Sequence, residues 1–187
     1  MKHQPLFRVL TGIVEVICRR HLDELRIFSE TINGVETLVV LPHAADYPRL
    51  VGRHGGQVNA VTYLVNKAAQ RLGERIGFSL RESFVGDREP VEPFAFNPDF
   101  AVKAFQQHLE DLAAAVTGRE FDYRIEEVGE VIVVTVPCER NLDTETFLSA
   151  LEAVFKPYCY GSGRKLQFKP KFLNRDSDNS ILCSRDS

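Results

Sequence analysis

Three glycines fall within five residues in Gly52-Arg53-His54-Gly55-Gly56, and they force a sharp corner into an otherwise aliphatic stretch. Lacking a Cβ, glycine accepts positive φ and lets another chain approach its backbone. Downstream, Val58, Val61, Val65, Ala68, Ala69 and Leu72 recur at the three- and four-residue spacing of a helical stripe, and Gly73 is placed to stop that helix. Upstream, Ala44 to Val51 has room only for a short helix after Pro42. The corner therefore joins a short helix to a long one.

The residues before it define the rest of a unit. Leu6, Val9, Leu10, Ile13, Val14 and Ile17 line one face of a first helix running from Pro5 to about Arg20. Leu25 to Ile32 and Val35 to Leu41 read as strands, and Asn33-Gly34 between them supplies the positive φ angles of a two-residue hairpin. After the long helix, Ile76, Phe78 and Leu80 alternate with polar or small residues as a strand with one buried face. The expected order is α-β-β-α-α-β.

Residues 85–97 carry Gly86, Pro90 and Pro93 among acidic residues and read as a linker, so the first domain is expected over 1–84. A second domain is expected over 98–173. Asn97-Pro98 opens a helix bearing Ala101, Phe105, Leu109, Leu112 and Val116, with Gly118 to close it. Phe121, Tyr123 and Ile125 alternate as a strand, Glu130 to Val136 forms the next, and Val128-Gly129 marks the turn. Asp143 can cap a helix carrying Phe147, Leu148, Leu151 and Phe155, and Lys165 to Lys169 reads as a last strand. The fold class expected is α+β, with α-β-β-α-β in the second half as a candidate degenerate repeat of the first; 174–187 reads as a flexible tail.

Hydrophobic residues at 44% and charged residues at 26% are enough for packed cores and exclude a disordered chain. No apolar run nears the roughly 20 residues that span a bilayer, so no membrane contact and a cytoplasmic location are expected. Cys18, Cys138, Cys159 and Cys183 form no CxxC pair, and the five histidines show no HExxH spacing, so no metal site or cofactor is expected. The formal net charge of -3 hides a segregation: residues 46–81 carry six basic side chains against two acidic ones. Such a stretch can attract phosphates although the chain as a whole repels them.

Leu50-Val51-Gly52-Arg53-His54-Gly55-Gly56-Gln57-Val58, lying between two helices after a hairpin, resembles the KH signature, two aliphatics before Gly-x-x-Gly and another after it. Residues 5–82 are similar in element order to a type II KH domain, most like the small bacterial single-KH RNA-binding proteins (the KhpA-like family). The resemblance implies a non-enzymatic binder of single-stranded RNA, or single-stranded DNA, of the RNA-chaperone or post-transcriptional regulator type. It implies that the loop Gly52 to Gly56 clamps the backbone of about four nucleotides. Arg53, His54 and Arg49 would contribute side chains, and Val51, Val58 and Val40 would line an apolar groove for the bases. Amides left unpaired at the start of the long helix, with its dipole, would favour a phosphate at Gly55 or Gly56. Arg53 stands where Lys is frequent in the family, which keeps the charge and adds a planar donor fork.

Other readings of the same residues stay open. The glycines could shape a plain helix–helix turn, Arg49 and Arg53 could be solvated charges, and Lys67 and Arg71 lie off the apolar stripe. The second half has no counterpart in the small single-KH proteins. It could instead make this a protein-interaction or assembly module, bringing in a homo-oligomeric or other protein partner. Gly161-Ser162-Gly163-Arg164 lacks the ending of a phosphate loop and reads as a turn, and Glu126-Glu127 and Asp176 with Asp178 are carboxylate pairs without a metal-ligand pattern. Lys165, Lys169 and Lys171 could be a second nucleic-acid surface or the guard of an edge strand. No nucleophile–base pair that would make an enzyme is readable.

Overall fold

The computed structural model describes residues 4–18, 21–82, 98–117, 123–138, 143–159 and 163–172. The chain is α+β. Its elements run α1 (Gln4–Ile17), β1 (Arg26–Ile32), β2 (Val35–Leu41), α2 (Tyr47–Val51), α3 (Gly56–Leu72), β3 (Ile76–Leu80), α4 (Pro98–Thr117), β4 (Arg124–Val128), β5 (Val131–Cys138), α5 (Thr144–Phe155) and β6 (Lys165–Phe172).

Two three-stranded sheets form, ordered β1-β2-β3 and β4-β5-β6. In the first, the Asn33-Gly34 turn, both residues at positive φ, sets β1 antiparallel to β2, with Ile32 opposite Val35 and Phe28 opposite Val39. The helical crossover then brings β3 parallel to β2, with Phe78 opposite Leu38. The second sheet repeats this plan: β4 antiparallel to β5, then β6 parallel to β5 with Phe168 opposite Val134. Each half therefore puts its second strand in the middle and returns to it through a helix.

The helices of the two halves pack on one another, α1 against α4 and α3 against α5, so matching elements meet. One contiguous cluster of buried residues runs through both halves, from Leu10, Ile13, Val40 and Leu64 to Leu112, Val134, Phe147 and Phe155. Its aromatic residues include Phe147, Phe105, Phe155, Tyr158 and Phe168, with Phe105 meeting Phe155 edge-on at 5.2 Å. The Arg71 guanidinium donates to the Ala115 carbonyl and ties α3 to α4 at the rim.

Several details differ from the sequence reading. The buried stripe of α3 is Gln57, Ala60, Val61, Leu64, Val65, Ala68 and Ala69, whereas Val58 is half-buried and Leu72 exposed. The helix has to face β3 on one side and α5 on another, which turns its inner face toward Leu64 and Ala60. Helix α2 starts at Tyr47 rather than Ala44, with Pro48 in its first turn, and β6 runs on to Phe172. In β3 only Ile76 is fully buried, because both faces of that edge strand are partly covered. The linker over 85–97, the tail over 174–187, Asn97, Gly118, Phe121, Gly161, Ser162, Asp176 and Asp178 lie outside the described residues, as does the side chain of Ala101. Among the described residues, no helix is long and apolar enough to cross a membrane.

Candidate nucleic-acid interface

The corner between α2 and α3 is built from three residues at positive φ. Gly52 has φ 73° and ψ 174°, a combination open essentially to glycine alone, while His54 (φ 53°) and Gly55 (φ 77°) are left-handed in succession. Gly52 is required a second time by space: a Cβ there would lie 2.7 Å from the Gln57 Cβ and 2.8 Å from the Gln57 nitrogen. Gly55 has more room, its nearest neighbour to such a carbon being the Asn59 Nδ2 at 3.5 Å. The glycines thus serve different ends, Gly52 the crossing of the chain over α3 and Gly55 the left-handed entry to it.

The turn satisfies itself. The Gly55 N–H donates to the Gly52 carbonyl, and the Gly56 N–H donates to the Arg53 carbonyl. The bare amides expected at these two residues are accordingly corrected: their hydrogens close the turn. What the corner presents outward is the Arg53 and His54 side chains, both exposed, on the N-terminal end of the 17-residue α3. No acidic residue and no side-chain cap occupies that first turn, so the positive end of the helix dipole is left uncompensated.

Beneath the corner, Asp46 anchors α2. Its carboxylate is wholly buried; one oxygen accepts from Arg49 Nη1 at 2.8 Å and the other meets His21 Nδ1 at 2.9 Å. His21 stacks on His43 with ring centroids 4.0 Å apart. The Ala45 N–H donates to His43 Nδ1, which leaves the ring's proton on Nε2, facing Glu24 at 3.7 Å. Cys18 is buried beside this group, and burial, reinforced by Asp46, pushes its thiol far above the ordinary range. Of these pairings only Asp46 with Arg49, three residues apart, has a helical spacing; the contacts with His21 and of His43 with Glu24 are not signalled by the sequence, and the Asp46 side chain caps nothing at the start of α2.

The predicted site residues thus separate into groups. Gly52, Arg53, His54, Gly55 and Gly56 form the corner itself. Val51 and Val58 are half-buried on either side of it, with a Val58 methyl 4.0 Å from the position of a Gly55 Cβ. Val40 is completely buried in the core, which corrects its expected place in the groove lining, since a side chain without exposed surface cannot meet a base. Arg49 is turned inward onto Asp46, its side chain only 15% exposed.

In the second half, the position matching the start of α3 is the start of α5, and it is chemically opposite. Asp143 caps α5 through the Thr146 N–H and hydroxyl, and Glu145 sits in the first turn. Those hydrogen bonds hold the Asp143 carboxyl below its usual range. Among the described residues, no group of three or more His, Cys, Asp or Glu could hold a metal ion.

A comparison with known protein families finds no match for this chain, and no curated protein matches it.

Proposed function

We propose that the chain binds single-stranded RNA, or single-stranded DNA, through the corner Gly52 to Gly56, and that the first half is a type II KH domain. The observation that carries the reading is the corner's combination of geometry and charge. Two positive-φ glycines shape the corner, and Arg53 and His54 stand exposed at an uncapped, acid-free helix start. A sugar–phosphate strand can pass close over Gly55 and Gly56 because neither carries a side chain. Arg53 gives its phosphates a bidentate donor, His54 a hydrogen bond or a ring to stack on, and the α3 dipole adds attraction. Half-buried Val51 and Val58 flank the place where the bases would lie.

The order α1-β1-β2-α2-α3-β3, with β3 parallel to the central β2, supports the KH reading of this half. Arg49 serves the site indirectly, holding α2 to Asp46. The second half repeats the fold without the chemistry: Asp143 and Glu145 at the start of α5 would repel a phosphate. The corner is thus confined to the first half, and the helices of the second half cover those of the first. No step of this reading calls for catalysis or a cofactor.

Fluorescence polarisation with a short unstructured RNA over a salt series tests the site. Arg53→Asp combined with His54→Asp should weaken binding by well over tenfold and flatten the salt dependence. Unchanged affinity and slope in that variant would remove the corner from consideration.

A further inference from the structure

The second sheet turns a cationic face to solvent. Along β6, Leu166 and Phe168 point into the core while Lys165, Gln167 and Lys169 point out. Beyond Phe168 the strand outruns its cover, and Pro170, Lys171 and Phe172 are all exposed. The register carries the charge across the sheet: Lys169 lies opposite Thr135, and Thr135 lies opposite Arg124 on the far strand. Strands lie about 4.8 Å apart and alternate residues on one face about 6.6 Å apart. Lys165 and Lys169 therefore border one edge of a floor of uncharged β5 residues, and the Arg124–Glu126 ion pair borders the other. The one carboxylate on the face, Glu126, is already paired with Arg124 at 2.9 Å. Among the described residues, Lys165 and Lys169 have no carboxylate partner.

This concentration stands out in a chain whose formal net charge is -3. A face of spaced, flexible ammonium groups over a flat uncharged floor is complementary to a phosphodiester chain, which carries one charge per nucleotide.

We infer that the outer face of β4-β5-β6 is a second nucleic-acid surface, which holds the phosphates of a strand longer than the corner at Gly52 to Gly56 can grip. It rests on the reading of that corner only in taking a single strand as the ligand. The two surfaces would act on one strand as tethered sites, so affinity should rise with strand length beyond what the corner alone provides.

Polarisation with two unstructured RNAs, one of about four nucleotides and one several times longer, separates the surfaces. The variants are Lys165→Glu with Lys169→Glu, and Arg53→Asp with His54→Asp. All four side chains are exposed, so the fold should survive, and circular dichroism checks this. The lysine reversal should cost the long strand about tenfold or more in affinity and lower its salt slope by about 1.4, with the short strand unaffected. If the lysine reversal changes neither strand while the loop variant abolishes both, the second surface is overturned and the corner stands. If the loop variant changes nothing and the lysine reversal abolishes long-strand binding, the corner is wrong and the sheet surface stands. If neither variant matters, both are wrong, and binding by an acidic protein becomes the use left for the lysines.

Discussion

The imidazole of His108 occupies the space that a side chain on Gly12 would need. A Cβ on Gly12 would lie 2.7 Å from the His108 Cε1, and nearer still to Nε2, so α1 and α4 meet at van der Waals distance only because residue 12 is glycine. His108 is held in place by a hydrogen bond between its Nδ1 and the Tyr158 hydroxyl. Gly12→Ala should destabilise the protein by about 1–3 kcal/mol through overpacking. His108→Ala in the same chain should recover part of the loss, and urea unfolding of the two single variants and the double variant measures the coupling.

The same histidine makes stability depend on pH. Burial lowers its pKa below 6.5, outweighing the opposing pull of Asp111. The folded state therefore favours the neutral ring more than the unfolded state does. Its contribution is fully present above about pH 6.5 and is lost as pH falls through the folded value. Melting temperature followed from pH 7.5 down to 5 should fall more steeply in the wild type than in His108→Gln; parallel curves would contradict this.

At the corner, Gly52→Ala and Gly55→Ala should differ in severity. Both place a side chain at positive φ, which costs about 1 kcal/mol or more. Gly52 meets the Gln57 backbone nitrogen and Cβ as well, whereas Gly55 has space. Thermal melts should show Gly52→Ala the more damaging by about 1–2 kcal/mol. Equal losses would mean that the chain does not cross α3 at residue 52.

On α3, the Tyr63 hydroxyl is buried and, among the described residues, has no hydrogen-bond partner. Burial, with Asp143 close by, pushes its pKa up. Removing an unpaired buried hydroxyl while keeping the ring should leave stability equal or raise it by up to about 1 kcal/mol. Tyr63→Phe tested by chemical denaturation checks this, and a clear loss would reveal a partner for the hydroxyl.

Elements with strong local signals were legible in the sequence. Asn33-Gly34 fixed a hairpin, Gly73 ended α3 by donating back to Ala69 and Gln70, and Asp143 capped α5. These are short-range contacts, written in neighbouring residues. The stripe of α3 was legible at Val61, Val65, Ala68 and Ala69 but not at its two ends, because Val58 and Leu72 are as apolar as Leu64 and only the packing of a second half decides which is buried. The Asp46 cluster was illegible for a related reason. His21 and Asp46 are 25 residues apart, and nothing in the spacing of either predicts that they meet. At the candidate site, the glycines and the exposed pair Arg53 and His54 could be read from the residues; the inward turn of Arg49 and the use of the Gly55 and Gly56 hydrogens within the turn depend on three-dimensional closure.

The pairing of α1 with α4 and of α3 with α5 has a consequence for how this protein responds to dilution. A lone half would leave one side of its helices wet and would have to recruit another molecule to dry it. Here the covering piece is tethered, at a local concentration set by the intervening chain rather than by the solution. Folding should therefore stay a first-order process, with a melting midpoint that does not move as the protein is diluted.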